Sequence, residues 1–278
     1  MKSSEIRIRD PFILSDAKSG TYYLYGTTDK LPWGGPGEGF DVYAGRDLVN
    51  WEGPYPAFRK SKDFWAEENF WAPEVHKVDG TYYMFASFKA KGKSRGTQIL
   101  KSESPLGPFV PISEGPVTPE TWECLDGTFY EQDGEPWIIF CHEWTQIRNG
   151  AVCAMRLSAG LKEAAGEPQV LFHAKDAPWV RAAGEGDNYV TDGPFLFNEG
   201  GRLYMLWSSF AATGYAMGLA VSESGRVDGP WRQMERPLDV KDGGHGMIFE
   251  SFEGKKYLIY HAPNKTPLER PVMVDFSF

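Results

Sequence analysis

The sequence predicts an all-β, five-bladed β-propeller, and three observations carry the prediction. One hairpin pattern is written five times: a polar start, an apolar strand, a polar or Gly-rich turn, and a second strand rich in aromatics. The five starts lie roughly 50–70 residues apart, which suits a four-stranded blade with a loop of variable length. The composition fits as well, because 31 Gly and 20 Pro supply turns for many short strands while 10 Trp, 13 Tyr and 18 Phe fill a core.

Residues 1–9 alternate, with Ile6 and Ile8 against Arg7 and Arg9, and this predicts a strand that closes the ring with the last blade. Blade one runs from Asp10, in D-P-F-I-L-S-D-A-K-S-G-T-Y-Y-L-Y, to about Pro56. Its loop L-P-W-G-G-P-G-E-G makes Trp33 a candidate pocket wall. Blade two covers roughly 65–120 and contains W-A-P-E from Trp71, followed by V-H-K-V-D-G-T-Y-Y-M-F. Blade three, about 124–180, opens D-G-T-F-Y-E-Q-D-G-E-P-W-I-I-F at Asp126, and its polar stretch L-K-E-A-A-G-E-P is expected to hold a helical turn. Blade four, 190–237, opens D-G-P-F-L-F at Asp192 after the Gly-rich loop W-V-R-A-A-G-E-G-D-N-Y-V. Blade five runs from 243 onward with H-G-M-I-F-E at His245. No linker divides the chain, so residues 1–278 read as one propeller domain with a catalytic site.

Composition excludes some partners. Net charge is −9 and no Lys/Arg-rich run appears, which argues against nucleic acid. No long apolar run suggests a membrane span, and M-K-S-S-E-I-R-I-R-D lacks the apolar centre of a signal peptide. The expectation is therefore a cytoplasmic protein as the chain stands, or a secreted or periplasmic one if a leader was removed. Cys124, Cys141 and Cys153 are odd in number and lack C-x-x-C spacing, so buried free thiols are expected.

In a propeller the inner strands run beside the axis, so equivalent strand starts converge on one face. Asp10, Asp126, Asp192 and His245 therefore surround one funnel in this reading. Carboxylates brought together raise one another's proton affinity, which lets one act as base while another stays protonated as acid. Glycosidic hydrolysis needs that division, and inversion needs acid and base far enough apart to admit water.

The D-P-F at Asp10, W-A-P-E at Trp71, the third-blade Asp, the acidic-G-P of the fourth blade and the G-H-G of the fifth together resemble glycoside hydrolase family 43. That resemblance implies inverting hydrolysis of arabinofuranosides and xylosides on a five-bladed propeller. It makes Asp10 the general base that activates water and Asp126 the carboxylate that raises and orients the acid. The family pattern has Glu where this chain has Asp192, which is shorter by one methylene, about 1.5 Å. Asp192 is nevertheless the favoured acid, and Glu185, seven residues earlier, is the alternative with a longer arm. His245 resembles an axial histidine that contacts a central metal through its shell, implying a structural calcium at the axis; no cofactor is required for the chemistry. Glu269-Arg270-Pro271 resembles a late segment whose Arg points toward the sugar or the base, so Arg270 joins Trp71 and Trp33 as a substrate-binding candidate. His76, His142 and Glu143 are weaker candidates for the pocket rim.

The function expected from these readings is an exo-acting, inverting glycosidase that removes terminal α-L-arabinofuranosyl or β-D-xylosyl residues from plant oligosaccharide or polysaccharide. A β-D-galactofuranosidase and a non-catalytic carbohydrate-binding propeller are the alternatives on the same fold.

Overall fold

The computed structural model describes residues 1–277; Phe278, which ends the strand-like run V-M-V-D-F-S-F, lies outside the described residues. Five antiparallel sheets form the five blades of a β-propeller. Blade one comprises β1 (Arg9–Asp16), β2 (Thr21–Thr27), β3 (Gly39–Gly45) and β4 (Trp51–Arg59). Blade two comprises β5 (Glu68–Val78), β6 (Thr81–Lys89), β7 (Gly96–Ser102) and β8 (Val110–Pro111). Blade three follows with β9 (Cys124–Gln132), β10 (Glu135–His142), β11 (Ala151–Arg156) and β12 (Gln169–His173). Blade four has β13 (Asp192–Glu199), β14 (Arg202–Ala211), β15 (Gly214–Ser222) and β16 (Trp231–Gln233), and blade five has β17 (Gly244–Glu250), β18 (Lys256–Ala262) and β19 (Arg270–Asp275).

Burial explains why the middle strands read as nearly continuous apolar runs. Blades stack face to face, so L-Y-M-L-W-S-S on β14 and Y-A-M-G-L-A-V on β15 are covered on both sides, whereas the outermost strands β8 and β16 are largely open to solvent. Trp207, fully buried between blades three and four, packs on Trp179 and Phe172. Truncating such a residue to Ala costs about 3–5 kcal/mol. All three cysteines are free and buried.

Two local expectations are corrected. Residues 1–9 do not form a closing strand: Ser3–Glu5 is a short 3-10 turn, with the Lys2 amide donating to Glu5 Oε2 at 2.6 Å. The alternation reported burial correctly, since Ile6 and Ile8 enter the core, but before Arg9, which already belongs to β1, the segment's pairing is the single Lys2–Asn50 bridge to blade one and not to the last blade. The second correction concerns 161–168, which holds no helical turn. Leu161 takes φ +57° and the chain folds back so that Leu157 bridges Ala164, leaving no run of helical residues. Among the described residues the one α-helical turn is Trp144–Ile147, after β10.

The inner strands share one device. Each carries a β-bulge near its start in which a single residue takes positive φ: Asp10 (52°), Ala72 (46°), Asp126 (57°), Gly193 (51°) and His245 (49°). Bulges re-aim side chains and twist strands, and here they turn five chain segments toward the axis at one end of the propeller. The register corrects the fourth repeat by one residue: Gly193, not Asp192, is the counterpart of Asp10.

Candidate active site

The bulges open onto a cavity of about 670 Å³, which Asp10, Asp126, Asp192, His245, Trp71 and Trp33 all line. Six of the seven site residues expected from the sequence are therefore brought together.

Asp10 is held from several sides. Its amide donates to His261 Nδ1 at 3.1 Å, the Thr27 hydroxyl donates to its Oδ2 at 2.6 Å, and His245 Nδ1 lies 3.3 Å from its Oδ1. Burial works to raise its proton affinity, but the charges of His245 and Arg9 and the Thr27 hydrogen bond outweigh it and hold the carboxyl below its ordinary range. His261 accepts the Asp10 amide on Nδ1, and burial together with Arg9 pushes its own pKa down to about 3, so that ring is neutral.

Asp126 and Asp192 move in the opposite direction. Burial and the Asp10 charge push Asp126 well above the usual carboxylate range, against the pull of the Gly193 amide, which donates to Oδ2 at 2.9 Å. Asp192 is pushed up to about 7, first by burial and then by Asp126; the Tyr215 hydroxyl, 2.9 Å from Oδ2, works the other way. One cavity thus holds a carboxylate suited to losing its proton and another suited to keeping it near neutral pH.

Glu185 is exposed on the 181–189 loop, of which Ala183 and Gly184 line the cavity and Glu185 does not. Glu143 does line it, but its carboxylate is tied to the buried Arg95 guanidinium and is not a free acid. His76 lies away from the cavity, bonded to Glu74 at 3.2 Å among Phe12, Phe85 and Phe129. His142 is stacked on Trp122 and bonded to Gln146.

The aromatic walls are pre-oriented. Trp71 Nε1 donates to the Pro32 carbonyl at 2.7 Å and Arg95 lies over its ring at 4.3 Å. Trp33, 58% exposed, meets Trp71 edge-on at 5.5 Å, donates from Nε1 to the Thr266 hydroxyl at 3.0 Å, and carries the Arg9 guanidinium over its ring at 4.7 Å. Rings fixed in this way present flat apolar faces to a sugar without first losing rotamer freedom.

Arg270 is a correction. Its guanidinium donates to the backbone carbonyls of Ser4, Pro267 and Glu269, so it fastens the N-terminal segment to blade five outside the cavity. The cation beside Asp10 is Arg9, which also donates to Asn264 Oδ1 at 2.8 Å. Sequence reasoning missed Arg9, Asn264 and Tyr215. A signal for Arg9 existed: in four of the five blades the place before the bulge residue carries Arg9, Trp71, Leu125 or Asp192, and all four line the cavity. Tyr215 sits at the start of a third strand, where no repeat points to it.

His245 Nδ1 faces Asp10 and, at 3.6 Å, Asp126 Oδ2, and among the described residues no three of His, Cys, Asp and Glu are grouped to hold a metal ion.

The family profile described as Glycosyl hydrolases family 43 matches residues 4–275. A solved structure described as an endo-arabinase from Bacteroides thetaiotaomicron superimposes with a TM-score of 0.93 at 42% identity, covering 100% of this chain and 97% of that one. An extracellular exo-α-(1→5)-L-arabinofuranosidase of Cellvibrio japonicus is 22% identical over 94% of this chain and 80% of its own length. An α-L-arabinofuranosidase of Humicola insolens is 24% identical over 69% of this chain, which spans 42% of that protein.

Proposed function

The chain belongs to glycoside hydrolase family 43, and from that premise we propose that it releases terminal α-L-arabinofuranosyl residues from arabinan-type oligosaccharide or polysaccharide with inversion. The observation that carries the reading is the opposed proton affinity of Asp10 and Asp192 in one cavity. Asp10 takes a proton from water as the water attacks the anomeric carbon. Asp192 gives its proton to the departing glycosidic oxygen, so both carboxyls end in the other protonation state and reset through solvent. Asp126 accepts the Gly193 amide on Oδ2 and so holds the strand that carries Asp192, whose own burial keeps it protonated. Trp33 and Trp71 take the sugar's C–H faces.

Terminal release is supported by the 28–38 loop between β2 and β3. It is tied to blade five through Trp33 and Thr266, and to blade two through Trp71 Nε1 and the Pro32 carbonyl and through the Gly37 amide and the Glu67 carbonyl at 2.7 Å. A wall fixed at both ends favours a pocket for a chain end over an open groove. The second reading, internal cleavage of arabinan, is favoured by the 42% identity to a protein described as an endo-arabinase.

Incubation with linear α-1,5-arabinan and with reduced arabino-oligosaccharides, followed by separation of products, tests the proposal. Arabinose as the sole early product supports terminal release. A ladder of oligosaccharides means internal cleavage, and turnover of aryl β-D-xylosides or β-D-galactofuranosides in place of arabinofuranosides would move the substrate class.

A further inference from the structure

A ring of inter-blade hydrogen bonds runs around the cavity floor, and it is altered at one place. In every blade the residue before the bulge pairs with one residue of the second strand: Arg9 with Thr27, Trp71 with Ser87, Leu125 with Cys141, Asp192 with Ser208, and Gly244 with His261. In four blades that second-strand side chain accepts the bulge amide of the next blade. Thr27 accepts from Ala72 at 2.8 Å, Ser87 from Asp126 at 2.9 Å, Ser208 from His245 at 2.8 Å, and His261 from Asp10 at 3.1 Å.

The fifth place holds Cys141, whose sulfur is a weak acceptor, and the Gly193 amide goes to Asp126 Oδ2 instead. The contrast with blade one is informative. There the Thr27 hydroxyl stands between a site carboxylate and the next blade's amide, donating to Asp10 Oδ2 at 2.6 Å while accepting from Ala72. Between blades three and four no hydroxyl intervenes, so carboxylate and amide meet directly. Gly193 is held close on its other side as well: a Cβ there would come within 2.7 Å of the His245 ring.

We propose that Cys141 is a positioning residue, which by withholding an oxygen acceptor lets Asp126 bind the Gly193 amide directly and so fixes β13, with Asp192 at its start, against Asp126. The inference rests on the glycosidase reading above. Its consequence concerns proton delivery to the leaving group and not substrate capture, because neither Cys141 nor Gly193 lines the cavity. A hydroxyl introduced at position 141 restores the relay seen at Thr27 and moves Asp192 out of register with the glycosidic oxygen.

The experiment compares wild type with Cys141→Ser, Cys141→Thr and Cys141→Ala on aryl α-L-arabinofuranosides of graded leaving-group acidity, with a crystal structure of Cys141→Ser alongside. The expected result is little change on the most acidic phenol and a loss of about tenfold or more in kcat on the least acidic one for the two hydroxyl variants. Cys141→Ala should parallel wild type across the series. The crystal structure should show the new hydroxyl accepting the Gly193 amide. Parallel plots for all four proteins, or a Gly193 amide still bound directly to Asp126 in the variant, overturn the proposal. Should Cys141→Ser fold poorly, Cys141→Thr reads the same outcome; failure of both would mean that this place does not tolerate the hydroxyl that three of its four counterparts carry, and would also overturn it. Absence of arabinofuranosidase turnover in wild type removes the functional reading, and the crystal structure then decides the hydrogen-bond claim alone.

Discussion

The Tyr215 hydroxyl donates to Asp192 Oδ2 at 2.9 Å, from the third strand of the blade whose first strand Asp192 begins. The bond occupies one carboxyl oxygen and leaves Oδ1 to carry the transferable proton. Tyr215 itself is pushed well above the ordinary phenol range by burial and the neighbouring carboxylates, so it stays a donor at any working pH. Asp192, the proposed acid, must be protonated to act, so kcat/KM should fall as pH rises through about 7. The tyrosine's hydrogen bond lowers the proton affinity of Asp192. Tyr215→Phe should therefore move the basic limb to higher pH while lowering kcat about tenfold, as a pH–rate series would show. An unmoved limb would separate Tyr215 from the acid.

Asp192→Asn should cost little on an aryl arabinofuranoside with an acidic phenol and about 10²–10⁴-fold on arabinobiose, because only the second leaving group needs a proton. Glu185→Gln should stay within about twofold on both, since Glu185 is exposed and off the cavity wall. The reverse pattern, read from steady-state rates on the two substrates, would hand the acid role to Glu185.

Arg9 and Arg270 should separate cleanly. Arg9 helps hold Asp10 deprotonated, so Arg9→Ala should raise the acid limb of kcat/KM toward the ordinary carboxylate value of 3.8 and reduce the plateau. Arg270→Ala should leave the pH–rate series unchanged and lower thermal stability, because its bonds fasten the N-terminal segment. Rates across pH and a melting curve for each variant check both halves.

The same burial that readies Asp192 for catalysis strains the fold. Its pKa in the folded state is raised, so the folded state binds more protons than the unfolded one, and stability falls as pH rises from the ordinary carboxylate value through about 7. Asp192→Asn removes that dependence. The variant should melt higher than wild type at pH 8, with a smaller difference at pH 4, by calorimetry at the two pH values.

Chelation is expected to leave kcat/KM within about twofold, because the proposed proton transfers use Asp10 and Asp192 and, among the described residues, no three of His, Cys, Asp and Glu are grouped to hold a metal ion. Activity after exhaustive EDTA dialysis, with and without added calcium, measures this. A large loss restored by calcium would give His245 a metal-linked role.

The repeated hairpin pattern was enough to read the propeller, the order of the blades and the three carboxylates from the amino acids. Each is written in a short-range pattern repeated at blade spacing, and strand alternation, Gly-rich turns and an acid at a hairpin mouth depend only on neighbours in the chain. The sequence also carried the departures that matter at the site, Asp192 in D-G-P and Cys141 where other blades have Thr, Ser or His. Tertiary structure alone decided which cation stands beside Asp10, because Arg9 and Arg270 each sit next to an acidic residue in the chain and only the bulge at Asp10 turns Arg9 inward. It decided too that Tyr215 reaches Asp192, that Gly193 and not Asp192 keeps the repeat register, and that the Gly193 amide finds a carboxylate instead of a hydroxyl. Those contacts join residues tens of positions apart, and they form only when five twisted sheets pack around one axis and bring strand starts within hydrogen-bond reach.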